Sequence, residues 1–198
     1  MQKELENNLK IVNSSIKLAC DSSGTNSKDI LLIAVSKKKS LDHIKSVIKI
    51  GVTDFGENYS QELQEKSEAL ALENIFWHFI GPIQTNKLKL IAEAADWVHS
   101  IDRMKVASKL NQACEHLNKK MSVLIQVNID NEPTKSGVKT EDVLTFAKEI
   151  NSHCSNLELR GLMFMPNINA SNKDKLKTYA NIQSLQSSLK EILPNCTE

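Results

Sequence analysis

The sequence lacks every signal that would place it in a membrane, on a nucleic acid or in a disulfide-stapled secreted fold. No window approaches the roughly 18 or more uncharged apolar residues of a membrane span. The opening MQKELENNLK is polar and carries acids, and no apolar run follows it, so no secretory leader is expected. Neither sign of charge dominates: 25 Lys and Arg against 24 Asp and Glu leave a net charge of +1. With both signs interspersed there is no electrostatic case for nucleic acid or an anionic membrane. The four cysteines, Cys20, Cys114, Cys154 and Cys196, lie far apart with no C-x-x-C. His116 and His153 stand near two of them without the spacing of a zinc motif, and a disulfide framework is equally unsupported. Four reduced thiols in a cytoplasmic protein without a metal are expected. Also absent are G-x-G-x-x-G, G-x-x-x-x-G-K-[ST] and H-E-x-x-H, which sets aside dinucleotide, P-loop and zinc-protease chemistry.

What is present is an alternation. The 198 residues, 40% of them hydrophobic, suffice for one sizeable core. Short apolar, β-rich runs at 30–35, 53–56, 75–80, 96–101, 122–129 and 157–163 alternate with stretches of helical period. Several runs are continuously hydrophobic, as strands buried on both faces are. Helices are predicted over 3–20, 40–51, 59–72, 86–94, 103–117, 141–151 and 174–193. In the second of these Ser40 caps, Ile44, Val47 and Ile48 form the apolar face, and Gly51 stands at the C-terminal end. Six strand–helix units in a single domain over 1–198, with no linker or repeat, imply a parallel sheet with right-handed crossovers. An open doubly wound sheet and a (β/α)8 barrel both fit. In either, chemistry sits beyond the carboxyl ends of the strands.

The residues at those ends are the candidates. The first strand ends in Ala34-Val35-Ser36-Lys37-Lys38-Lys39. A lysine triplet is commonly a solvated basic run. Alternation, however, puts Ile33, Val35 and Lys37 on one side, where a desolvated amine could attack a carbonyl and form an imine. Asn58, in Phe55-Gly56-Glu57-Asn58-Tyr59, reads first as the cap of the next helix, while Gly56 would admit a backbone or ligand. After the third strand come Gln84, Thr85 and Asn86, polar groups where a ligand would sit; His78, mid-strand, reads as a satisfied core histidine with no triad partner. Ser100 and Asp102 read as helix caps. Local chemistry alone reaches a parallel α/β protein with a lysine in the right place.

Assembled in order, these segments resemble the pyridoxal phosphate homeostasis protein family of the YggS/PROSC type. The matching stretches are Ala34–Lys37, Phe55–Tyr59, Trp77–Lys87, Trp97–Arg103, Ile125–Ile129, Lys135–Gly137 and Leu159–Met163. Seven pieces in register are specific where one would be weak. The resemblance implies an α/β fold of the (β/α)8 TIM-barrel type, like the N-terminal domain of alanine racemase, with pyridoxal 5'-phosphate (PLP) held as a Schiff base on Lys37. Asn58 and Met163 match positions that line the cofactor pocket. The family implies a cytoplasmic storage protein, carrier or regulator of PLP rather than an enzyme, with no catalytic residue assigned. Expected partners are PLP itself and apo forms of PLP-dependent enzymes, and the protein is expected to be a monomer. The alternative is a PLP-dependent amino-acid racemase or decarboxylase, which needs a second positioned acid or base; Tyr59 and Tyr179 are the only tyrosines. A cofactor-free Schiff-base aldolase is a further possibility, disfavoured by a lysine on the first strand. The family pattern continues with Ser-x-Gly-Met-Ser-x-Asp and Arg-x-Gly-Thr segments that cradle the phosphate, and neither occurs here. A complete barrel typically takes about 250 residues, so this one is expected to be truncated after about six βα units.

Overall fold

The apolar runs form parallel strands and the 3.6-residue patterns form the helices between them. The computed structural model describes residues 2–129 and 136–196. Helix α1 (Gln2–Ser23) leads to β1 (Ala34–Val35) and α2 (Leu41–Ile48), then β2 (Asp54–Glu57) and α3 (Ser60–Ala69). There follow β3 (Phe76–Phe79), α4 (Leu88–Ala94), β4 (Trp97–Ile101) and α5 (Met104–His116). The chain then runs through β5 (Met121–Asn128), a short β6 (Val138–Lys139), α6 (Val143–His153), β7 (Leu157–Phe164) and α7 (Asn172–Ile192). All six predicted units are present. The addition is β6, two residues too short to leave a periodic signal.

Every pairing is parallel, in the order β1-β2-β3-β4-β5-β6, with β7 also on β5. Val127 pairs with both Val138 and Phe164, so β6 and β7 take opposite edges of β5. Among the described residues β1 pairs only with β2 and β7 only with β5. Among the described residues the sheet is therefore not closed into a barrel.

Alternation sorts the two faces. On β5, Met121, Val123, Ile125 and Val127 are buried in the core beneath the helices. Ser122, Leu124, Gln126 and Asn128 consequently face the inner side of the curved sheet. The helices meet the outer face with Ile44, Leu63, Ile91, Leu110, Ile150 and Leu189. Each such side chain contributes about 1.5–3 kcal/mol by leaving water.

Helix α2 starts as its sequence requires: the Ser40 hydroxyl accepts from the His43 amide, and Gly51 takes a φ of +92° just past the end. The other cap readings, Asn58, Ser100 and Asp102, do not hold. Tyr59, not Asn58, occupies the cap position of α3, and no side chain caps it. At α5 the position belongs to Arg103; Ser100 instead donates to the Gly81 carbonyl at 2.6 Å. The inward face of β2, β3 and β4 carries a buried polar chain. His78 Nε2 meets Asp54 Oδ1 at 3.0 Å and His78 Nδ1 meets His99 Nε2 at 3.0 Å, while Trp97 stacks on His78. His78 is thus a satisfied core histidine, as expected. Burial, reinforced by the neighbouring His78, pushes His99 down to about 4.

Candidate functional site

The first strand carries Lys37 into a tight turn. Ser36 N still bonds the Gly56 carbonyl at 2.9 Å, extending the β1–β2 ladder by one residue, and Lys39 N then bonds back to Ser36 O at 2.9 Å. Lys37 and Lys38 are the central residues of this turn, with Lys38 in the left-handed region at φ +61°. Lys37 is exposed. The desolvation expected of it is therefore not supplied by the protein; what the fold supplies is its position at the carboxyl end of β1.

The turn is gripped by a buried polar cluster. Lys66 of α3, 6% exposed, reaches Ser36 O at 2.8 Å, Glu57 Oε1 at 2.7 Å and Glu62 Oε1 at 2.7 Å. The Ser36 hydroxyl donates to Glu57 Oε1 at 2.6 Å, and the Lys38 amide donates to Glu62 Oε1 at 2.6 Å. Burial raises the Glu57 carboxyl above its usual range, against the opposing bonds from Lys66 and Ser36.

Beyond the strand ends lies a cavity of about 270 Å³, lined by Asn58, Ile80, Gln126, Asn128, Ser136 and Met165 among others. That is near the lower bound of roughly 300 Å³ for small-ligand pockets. Asn58 leaves β2 half-buried, and its Oδ1 is buried with no hydrogen-bond partner. A buried amide oxygen without a partner costs about 1–3 kcal/mol. Gly81 is what lets the chain after β3 lie on Asn58: a Cβ there would run into the Asn58 carbonyl. Gly137 does the same on the other wall, where at φ +129° a Cβ would stand 2.6 Å from Asn128 N. Gln126 Nε2 donates to Ser136 O at 3.2 Å, tying that loop to β5.

Of the three expected site residues, Asn58 lines the cavity directly. Met163 is half-buried on β7, paired in register with the cavity residue Gln126. Lys37 follows Val35, whose Cγ2 and the Cδ1 of the cavity residue Ile80 lie 3.6 and 3.1 Å from where a Gly56 Cβ would be. Gly56 thus packs closely under Ile33, Val35 and Ile80. Gln84 lines a smaller adjoining cavity with Tyr59 and Lys87, whereas Thr85 and Asn86 face a different cleft between α4 and α5. Lys135 lies outside the described residues.

Gln126 and Asn128 stand in the matching stretch Ile125–Ile129 without an assigned role, and Met165 was not singled out by sequence. For the first two a signal exists: polar residues two apart within a buried apolar strand share one face, and that face must meet something polar. Lys66 had one as well, since Leu63, Lys66 and Leu70 follow the buried face of α3 and a lysine there requires partners. Met165, beyond the end of β7, had none.

A parallel sheet flanked by helices is the architecture of the alanine racemase N-terminal domain, and here it carries a lysine turn after β1 and a cavity at the strand ends. That family's profile matches residues 25–197. A pyridoxal phosphate homeostasis protein of Haemophilus influenzae is 39% identical over 193 residues, covering 96% of this chain and 81% of the relative. The chain belongs to this family. Among solved structures, a protein of Bifidobacterium adolescentis superposes with a TM-score of 0.93 at 24% identity, over 100% of this chain and 85% of that one. PipY of Synechococcus elongatus, in its form with PLP bound, gives 0.78 at 25% identity over 91% and 84%.

Proposed function

We propose that this protein binds pyridoxal 5'-phosphate as a Schiff base on Lys37 and serves PLP homeostasis as a store or carrier without catalysing a reaction. The observation that supports the reading is that Lys37 and Asn58 leave the carboxyl ends of the paired strands β1 and β2, and Asn58 lines a cavity there. The residues present fit the group. Lys37 supplies the amine, Asn58 offers a buried acceptor, and Gln126 and Met163 stand on neighbouring strands. When bound, PLP supplies an aldehyde: the lysine nitrogen bonds its carbon, and both amine hydrogens leave with the carbonyl oxygen as water.

The chemistry of the cavity wall favours holding over turnover. None of Asn58, Ile80, Pro82, Gln126, Val127, Asn128, Ile129, Ser136 and Met165 is an acid or base that works near neutral pH. Delivery to apo PLP-dependent enzymes, and action as a cytoplasmic monomer, belong to the same proposal. Among the described residues no helix is long and apolar enough to cross a membrane.

The test is chemical. The protein is mixed with PLP, reduced with borohydride and digested, and the added mass is located. It is expected on Lys37 and absent from Lys37→Ala. A reduced adduct on another lysine, or undiminished binding by Lys37→Ala, overturns the assignment. Turnover of amino acids at ordinary enzyme rates would replace the carrier with the enzyme.

A further inference from the structure

The buried cluster behind the Lys37 turn has no role in the proposal so far. Its placement is unusual in energetic terms. Lys66 and Glu57 are 6% and 0% exposed, and burying an ion pair carries a desolvation penalty that its attraction must repay. Apolar residues of similar volume would stabilise the same space at least as well. What apolar residues could not do is bind a turn backbone. The cluster makes three bonds to that turn: Lys66 Nζ to Ser36 O, the Ser36 hydroxyl to Glu57, and Glu62 to the Lys38 amide. Two fall on the residue before Lys37 and one on the residue after it. Lys38 at φ +61° is a conformation side-chain-bearing residues take at a cost, so the turn requires such restraint to persist.

We propose that Glu57, Lys66 and Glu62 form a positioning device that clamps the backbone on both sides of Lys37 and so holds its amine ready for the cofactor aldehyde. These are positioning residues: none of the three lines the cavity. The clamp couples three elements, because Lys66 and Glu62 come from one helix turn of α3, Glu57 from the end of β2, and Ser36 from the end of β1. The inference rests on the assignment of PLP to Lys37, and its test separates the two.

The experiment compares Lys66→Met, Glu62→Ala and Glu62→Gln with wild type by amide hydrogen exchange at Lys38 and Lys39, PLP titration and borohydride trapping. Lys66→Met is expected to speed exchange in the turn and weaken PLP binding, each by about tenfold, the effect of losing a charge-assisted hydrogen bond. Glu62→Ala should act in the same direction on the Lys38 amide. Glu62→Gln should restore both readouts, because its amide oxygen still accepts from Lys38 N. A merely structural role would not separate Gln from Ala in this way. Should Lys66→Met fail to fold, the Glu62 pair decides, since Glu62 is 23% exposed and lies at the edge of the cluster. Wild-type exchange and affinity in folded Lys66→Met or in Glu62→Ala overturn the clamp. If wild-type protein traps no adduct on Lys37, the functional proposal fails, while the exchange data still judge the clamp.

Discussion

Asn58 shows how one side chain can be costly to the fold and useful to the site. Its Oδ1 is buried without a partner while the neighbouring helix is left uncapped. Asn58→Ala removes the unsatisfied acceptor, so the melting temperature of the cofactor-free protein should hold or rise slightly. PLP should then bind about five- to tenfold more weakly, the loss of one hydrogen bond of roughly 1 kcal/mol. Thermal melts with and without PLP measure both sides. Equal weakening of both states would mean that Asn58 serves packing alone. Lys37 sits at the opposite extreme. It is exposed, so its replacement should leave stability within about 0.5 kcal/mol while abolishing the trapped adduct.

At the scale of elements, the site is built from turns that leave the strands, and each turn depends on a local device. The β1 turn is held by the Lys66 cluster. The chain entering β6 is held by Gly137, whose φ of +129° and contact with β5 exclude any side chain. Gly137→Ala should therefore break the Val127–Val138 and Asn128–Lys139 pairing and pull Ser136 from Gln126. The expected cost is about 1–3 kcal/mol, with weaker PLP binding because Gln126 and Ser136 both line the cavity. Denaturant melts and PLP titration would show it; an unchanged midpoint would mean that this loop does not report on the cavity wall.

At the scale of the whole molecule, the inner face of the sheet makes stability depend on pH. His99 is held at about 4 in the fold, first by burial and then by His78, against about 6.5 when exposed. The unfolded chain therefore binds the proton first. Stability from this residue is complete above about 6.5, is lost as pH falls towards about 4, and totals roughly 3 kcal/mol. Glu57, raised by burial, works in the opposite sense, its contribution declining as pH rises through its folded value. The clean comparison is therefore wild type against His99→Gln, whose side-chain amide can still bond His78. The difference between their urea midpoints should shrink steadily between pH 6.5 and 4. A constant difference would show that His99 does not titrate in that window.

Local patterning determined the order of strands and helices, since alternation and 3.6-residue periods are properties of neighbours in sequence. It also singled out the first of three consecutive lysines, through an ordered set of motifs that no single residue type could supply. Tertiary structure decided what those residues meet. Asn58 reads locally as a cap, and only the approach of Gly81 places it in the cavity wall. The pattern of α3 puts Lys66 on a buried face and so requires partners for it, but those partners, Glu57 and Ser36, lie 9 and 30 residues away. Contacts across such separations come from the winding of the sheet, and a one-dimensional period carries no record of them. The lysine proposed to form the imine was therefore legible in the chain, and the contacts that hold its turn were not.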